Sequence, residues 1–126
     1  MMIRNNWLPS KTLYTKYTQE VTGAELLDAT LEVTGDTRWD GLKYVIGDWT
    51  QVDKTEISAK HVEEMIACLL PASRYCPHAI NCAIVKRNNT GTALAAWYKL
   101  LGEKLPWQID IYHSKEEAFE AYGIKS

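Results

Sequence analysis

The sequence has no apolar stretch of the length a membrane helix needs. Its first residues, MMIRNNWLPS, also lack the run of roughly seven to fifteen apolar residues found in a secretory leader. A cytoplasmic protein without a membrane span is expected. Charge of one sign is missing too: 14 Lys and Arg are interspersed with 16 Asp and Glu, for a formal net charge of -2. A duplex-binding surface needs a basic stripe and a raised pI, and the sequence pI is about 5.9, so nucleic acid is not an expected partner. Cysteine is scarce. Cys68, Cys76 and Cys82 are odd in number and form no pair at two-residue spacing, which argues for free thiols. Cys76, His78 and Cys82 match no common zinc pattern, and no metal or cofactor is expected. There is no G-x-S-x-G elbow, and NNTGT, with one glycine, is no phosphate loop. With Cys82 inside an apolar run, where burial makes a thiol inert, no nucleophile–base pair remains and an enzyme is not expected.

No segment is rich in Gly and Ser, rich in Pro, or repetitive, so residues 1–126 read as one domain. What recurs is an alternation of strand-like and helix-like patterns. MIRNNWL, the turn PS and KTLYTKYTQEV read as a half-exposed antiparallel hairpin, with Leu13, Thr15 and Tyr17 on one face. Thr22 and Glu25 have capping-box spacing, and a helix carrying Leu26, Leu27 and Leu31 ends at Gly35. Trp39 is read as a plug over the sheet rim. LKYVIGDW is a short buried strand, followed by a ten-residue loop. Ser58 caps a second helix whose Val62, Met65, Ile66, Leu69 and Leu70 share one face, and Pro71 is expected to finish or kink it. The strand AINCAIVK leads through RNNTG to a third helix, where Leu94, Trp97, Leu100 and Leu101 are read as core. PWQIDIYH alternates like an edge strand, and Ser114 with Glu117 opens a last helix closed by Gly123.

The order is therefore β-β-α-β-α-β-α-β-α, an α/β fold with a mixed five-stranded sheet and helices packed on it. Right-handed crossovers make the later strands parallel, so their ends share one edge. That edge would gather Asp48, Trp49, Thr50, Arg87, Asn88 and His113, near helix starts at Ser58, Thr90 and Ser114. An Asp leaving a strand is also a common turn former, bonding backbone amides such as those of Thr50 or Gln51. The five tryptophans are too many for a core of this size to bury completely, and Trp7, Trp39 and Trp49 fall outside the regular apolar stripes.

The run TGAELLDATLEVTGDTRWDGLKYVIGDWTQV and the closing WQIDIYHSKEEAFEAYG, set in this element order and chain length, resemble an uncharacterised bacterial family with the STAS, or SpoIIAA-like, fold. The resemblance implies a domain that docks onto protein partners, in some members under control of a phosphorylated serine at the start of the second crossover helix. Ser58 is the matching helix start here, and Asp48 the matching strand-end aspartate. The Asp-Ser-Ser/Thr-Gly pattern of the antagonists is absent from GDWTQVDKTEIS. The broad fold also resembles the lipid-binding CRAL-TRIO domains, which are larger and carry extra helices.

The expected function is a non-enzymatic regulatory module acting by protein–protein docking. Self-association as a homodimer through the hairpin or edge strand is part of that expectation. The alternative is a receptor for a small anionic or amphipathic ligand at the strand-end rim beside Trp49.

Overall fold

The computed structural model describes residues 3–125, and at 89–92 the backbone alone. It contains five strands, β1 (Ile3–Leu8), β2 (Thr12–Thr22), β3 (Tyr44–Glu56), β4 (Ile80–Ile84) and β5 (Gln108–Tyr112). Four helices, α1 (Gly23–Thr34), α2 (Ala59–Ala72), α3 (Asn89–Leu101) and α4 (Lys115–Tyr122), alternate with the later strands. The strands form one sheet in the order β1-β2-β3-β4-β5, antiparallel between β1 and β2 and parallel elsewhere. This is the mixed α/β architecture expected from the alternation of periods.

Two expectations about the sheet are corrected. β2 is not a half-exposed hairpin strand: it lies between β1 and β3, and Thr12, Leu13, Tyr14 and Thr15 are buried. Its Thr- and Tyr-rich pattern resembles an exposed strand because those side chains find hydrogen-bond partners inside. Nor does β3 stop near Asp48. It continues to Glu56 through the segment expected as a loop, paired with β2 alone, because β4 ends opposite Asp48 at Ile84. Register shifts on either side of Thr18 and Gln19 bend this two-stranded extension, and Gln19 takes a left-handed φ of 60° at the bulge.

Every parallel crossover advances the sheet by one strand in the same direction, so right-handed connections put α1, α2 and α3 on one face. Leu13, Val62, Ile66, Leu69, Trp39 and Trp107 form the core on that side. The two indoles fasten its base, Trp39 Nε1 donating to the Ala72 carbonyl at 2.9 Å and Trp107 Nε1 to that of Cys76 at 2.8 Å. On the opposite face α4 packs Ala118 and Phe119 against Tyr14, Ile46, Cys82 and Ile84.

Helix boundaries follow local chemistry. Thr22 and Glu25 make the complete capping box, and Ser114 caps α4, which ends at left-handed Gly123. Pro71 lies inside α2, which runs one residue past it. Proline has no N–H for the carbonyl four residues back, and the helix ends within a residue of it. Three side chains expected in the core are outside it: Leu31 is 57% exposed, Trp97 46% and Leu100 63%. Helical spacing assigns them to apolar stripes, but α1 and α3 touch the sheet along narrower strips.

His61 is half-buried and completes the α2 cap. Its Nδ1 accepts the Ser58 amide at 3.1 Å, and its own amide donates to Ser58 Oγ at 3.4 Å. A Cβ on Gly23 would fall 2.3–2.4 Å from this fixed ring. Gly23→Ala should therefore destabilise by about 1–3 kcal/mol, although glycine-to-alanine changes inside exposed helices stabilise by roughly 0.5–1 kcal/mol. Urea denaturation checks the sign, and the penalty should shrink in a His61→Ala background.

Candidate functional site

Register places small residues side by side across the middle of the sheet. Thr15 of β2 pairs with Gly47 of β3, and Gly47 with Ala83 of β4. All three face α1–α3. The neighbouring row, Leu13, Val45 and Asn81, carries larger side chains, and on the other side stand Tyr17 and Trp49. Helices resting on the larger rows cannot reach the small one. The result is a cavity of about 410 Å³ between sheet and helices, closed from above by Leu26, Thr30, Val62, Met65, Leu94 and Tyr98. Volumes of roughly 300–1,000 Å³ are typical of small-molecule sites.

Tyr17 and Trp49 stack with ring centroids 3.9 Å apart and planes 14° from parallel. The pair stands beside Gly47, where a Cβ would just touch it, 3.4 Å from both Trp49 Nε1 and Tyr17 Cε2. Several polar side chains of the lining already bond within the protein. Asn81 Nδ2 donates to the Val45 carbonyl at 2.8 Å, and its Oδ1 accepts from the Tyr98 hydroxyl. Thr15 Oγ1 donates to Asn5 Oδ1 and Thr30 Oγ1 to the Leu26 carbonyl, each at 2.8 Å. Burial pushes the phenols of Tyr17 and Tyr98 upward, so both are neutral donors at ordinary pH.

Asp48 points the other way, since successive side chains of a strand alternate between faces. It is 3% exposed. Oδ2 accepts from the Tyr14 hydroxyl, while Oδ1 accepts from the Thr50 amide at 3.0 Å and the Thr50 hydroxyl at 2.7 Å. Burial, reinforced by Asp48, raises the Tyr14 phenol. A polar depression of about 340 Å³ lies beside this cluster, between Lys16, His113 and Lys115. His113 Nδ1 lies 3.0 Å from the Val85 carbonyl and must carry a proton to bond it.

The rim residues expected to meet at one edge are therefore divided. Asp48, Thr50 and His113 border the polar depression, Trp49 and Asn88 line the cavity on the opposite face, and exposed Arg87 borders neither. Ser58 sits at the start of α2, its hydroxyl 3.2 Å from His61 Nδ1. That nitrogen already accepts the Ser58 amide, which fits a cap. The Thr90 side chain lies outside the described residues. Among the described residues no group of His, Cys, Asp and Glu is arranged to hold a metal ion, and no helix is long and apolar enough to cross a membrane.

The sequence reading missed Gly47, Ala83, Asn81 and Tyr98. The signal for Gly47 and Ala83 is one small residue per strand, and it becomes visible only once the strands are in register.

No protein-family model and no curated protein matches the sequence. Among solved structures, the chain is similar to the anti-sigma factor antagonist SpoIIAA in its unphosphorylated form. The identity is 7% over 96% of this chain and 97% of that one, with a TM-score of 0.62. It is also similar to the Bacillus cell fate determinant SpoIIAA in the phosphorylated form, with 12% identity, coverage of 95% and 98%, and a TM-score of 0.56. A third likeness is to an uncharacterised DUF3478-family protein with a SpoIIAA-like fold from Shewanella loihica PV-4. There the identity is 13%, the coverage 94% and 90%, and the TM-score 0.53. The fold is SpoIIAA-like; at these identities the likeness is one of architecture.

Buried acids on both faces make stability depend on alkaline pH. Desolvation pushes the Cys76 thiol from 9.0 to about 11 and that of Cys82 to about 12. Both stay protonated in the folded state, whereas the unfolded chain ionises them above pH 9. Their contribution is whole below pH 9 and is lost as pH rises through about 11 and 12, the raised tyrosines acting in the same direction. Denaturant midpoints should hold to pH 9 and then fall, with a shallower fall in Cys82→Ala.

Proposed function

We propose that the protein is a non-catalytic receptor for a small, largely apolar molecule held between the sheet and helices α1–α3. The cavity over Thr15, Gly47 and Ala83 carries this reading: its volume suits a small ligand, and hydrophobic side chains dominate its walls. The stacked Tyr17–Trp49 pair gives the site an indole within its lining. Ligand contact should therefore alter tryptophan emission. The polar cluster at Asp48 has a structural role in this reading, joining β2 to β3 from the opposite face.

The neutral probe N-phenyl-1-naphthylamine should bind and brighten. At a hundredfold excess over Kd, binding adds about 2.7 kcal/mol of stability, a rise in Tm of roughly 10 °C. Ala83→Phe, which fills the floor, should abolish binding while the circular dichroism spectrum is kept. Unchanged binding in that variant, or no binding to the unmodified protein, would sink the receptor reading.

A second reading is docking onto a protein partner or a second copy of the chain. It is supported by Trp97 and Leu100 on the outer side of α3 and by the antagonist role stated for SpoIIAA. β1 offers a sheet edge for self-pairing, and Ser58 at the start of α2 is the candidate phosphoacceptor within this reading. If α3 mediates self-association, light scattering should give twice the 14.4 kDa chain mass, reverting to one mass in Trp97→Ser/Leu100→Ser. A single mass at high concentration would remove the second-copy form of docking.

A further inference from the structure

The interior of the cavity and its mouth differ in chemistry, and the difference specifies a ligand. Inside, Asn81, Tyr98, Thr15 and Thr30 have their hydrogen bonds made within the protein. No buried side-chain nitrogen or oxygen among the described residues lacks a partner. A polar group carried into this space would lose its water and meet side chains whose donors are mostly engaged. The buried part of a ligand best suited to it is therefore hydrocarbon.

The lining follows β3 from Val45 to Thr55, past the point opposite Asp48 where β4 ends. A space drawn out along a strand fits a flexible chain better than a fused ring system. At its outer end the described lining carries three charged side chains, Asp53, Lys54 and Lys86. All three are exposed, and two cations stand against one carboxylate. Lys86 reaches back only weakly, its Nζ 3.5 Å from the Val52 carbonyl. Half-buried Tyr17 lines the same cavity beside Trp49.

We propose that the site takes a single-chain anionic amphiphile of the alkyl carboxylate class, its tail over Gly47 and Ala83 and its head group at Lys54 and Lys86. This rests on the receptor reading above and adds the chemistry of the occupant.

The test titrates Trp49 emission with octanoate, decanoate and dodecanoate below their micellar concentrations, and with dodecanol and dodecyltrimethylammonium as neutral and cationic counterparts. Each added methylene should tighten binding by about threefold to fourfold until the cavity is full. Dodecanoate should bind about fivefold tighter than dodecanol at low ionic strength, the advantage fading with salt. Lys54→Gln/Lys86→Gln should bring dodecanoate down to dodecanol. Two results would overturn the assignment while leaving a receptor in place: dodecanol or the ammonium binding as well as dodecanoate, or affinity indifferent to chain length while naphthylamine still binds. Failure of every amphiphile and of naphthylamine as well would instead remove the receptor reading itself.

Discussion

One row of small side chains, Thr15, Gly47 and Ala83, governs the layer of helices above the sheet. Interiors pack to crystal-like density, so a local deficit of volume must be met by collapse, by a larger neighbour or by a space. Collapse is blocked on both sides. Leu13 and Val45, with Trp39 and Leu69 behind them, support the helices at one end, and the Tyr17–Trp49 stack stands at the other. Gly47 removes volume from the floor directly beside the two rings.

Topology decides where this space can be. In doubly wound sheets a reversal of strand order opens a crevice at the carboxyl ends of the strands, and ligands bind there. The sequential order β1 to β5 has no reversal. Three crossovers of one hand put three helices on one face, and the extension of β2 and β3 past β4 stands where an edge crevice would otherwise open. Asp48 is then a mid-strand residue. Its three hydrogen bonds compensate the burial of a carboxylate beneath α4, which is a sufficient reason for its presence.

The sequence made local chemistry legible and left lateral relations hidden. Capping signals at Thr22, Ser58 and Ser114 each marked a helix start, because a cap is settled by residues three apart. The order of elements followed from changes of period. Register did not, since pairing Gly47 with Thr15 and Ala83 depends on chain segments more than 30 residues distant in each direction. The length of β3 was hidden for a related reason. DKTE has the composition of a loop, and it is held extended by pairing with β2 rather than by its own propensity. Trp97 and Leu100 show the limit of periodicity, which identifies a stripe without showing how much of it is covered.

The receptor and docking readings converge on α2. Its inner face places Val62, Met65 and Leu69 over the cavity, while its first turn carries Ser58 and the His61 cap on the outside. The same histidine ring abuts Gly23, the first residue of α1, so the starts of these two packed helices are held together. The residues that roof the space and the cap that fixes the helix start are thus carried by one element, and interiors packed to crystal-like density leave that element little freedom to shift on its own.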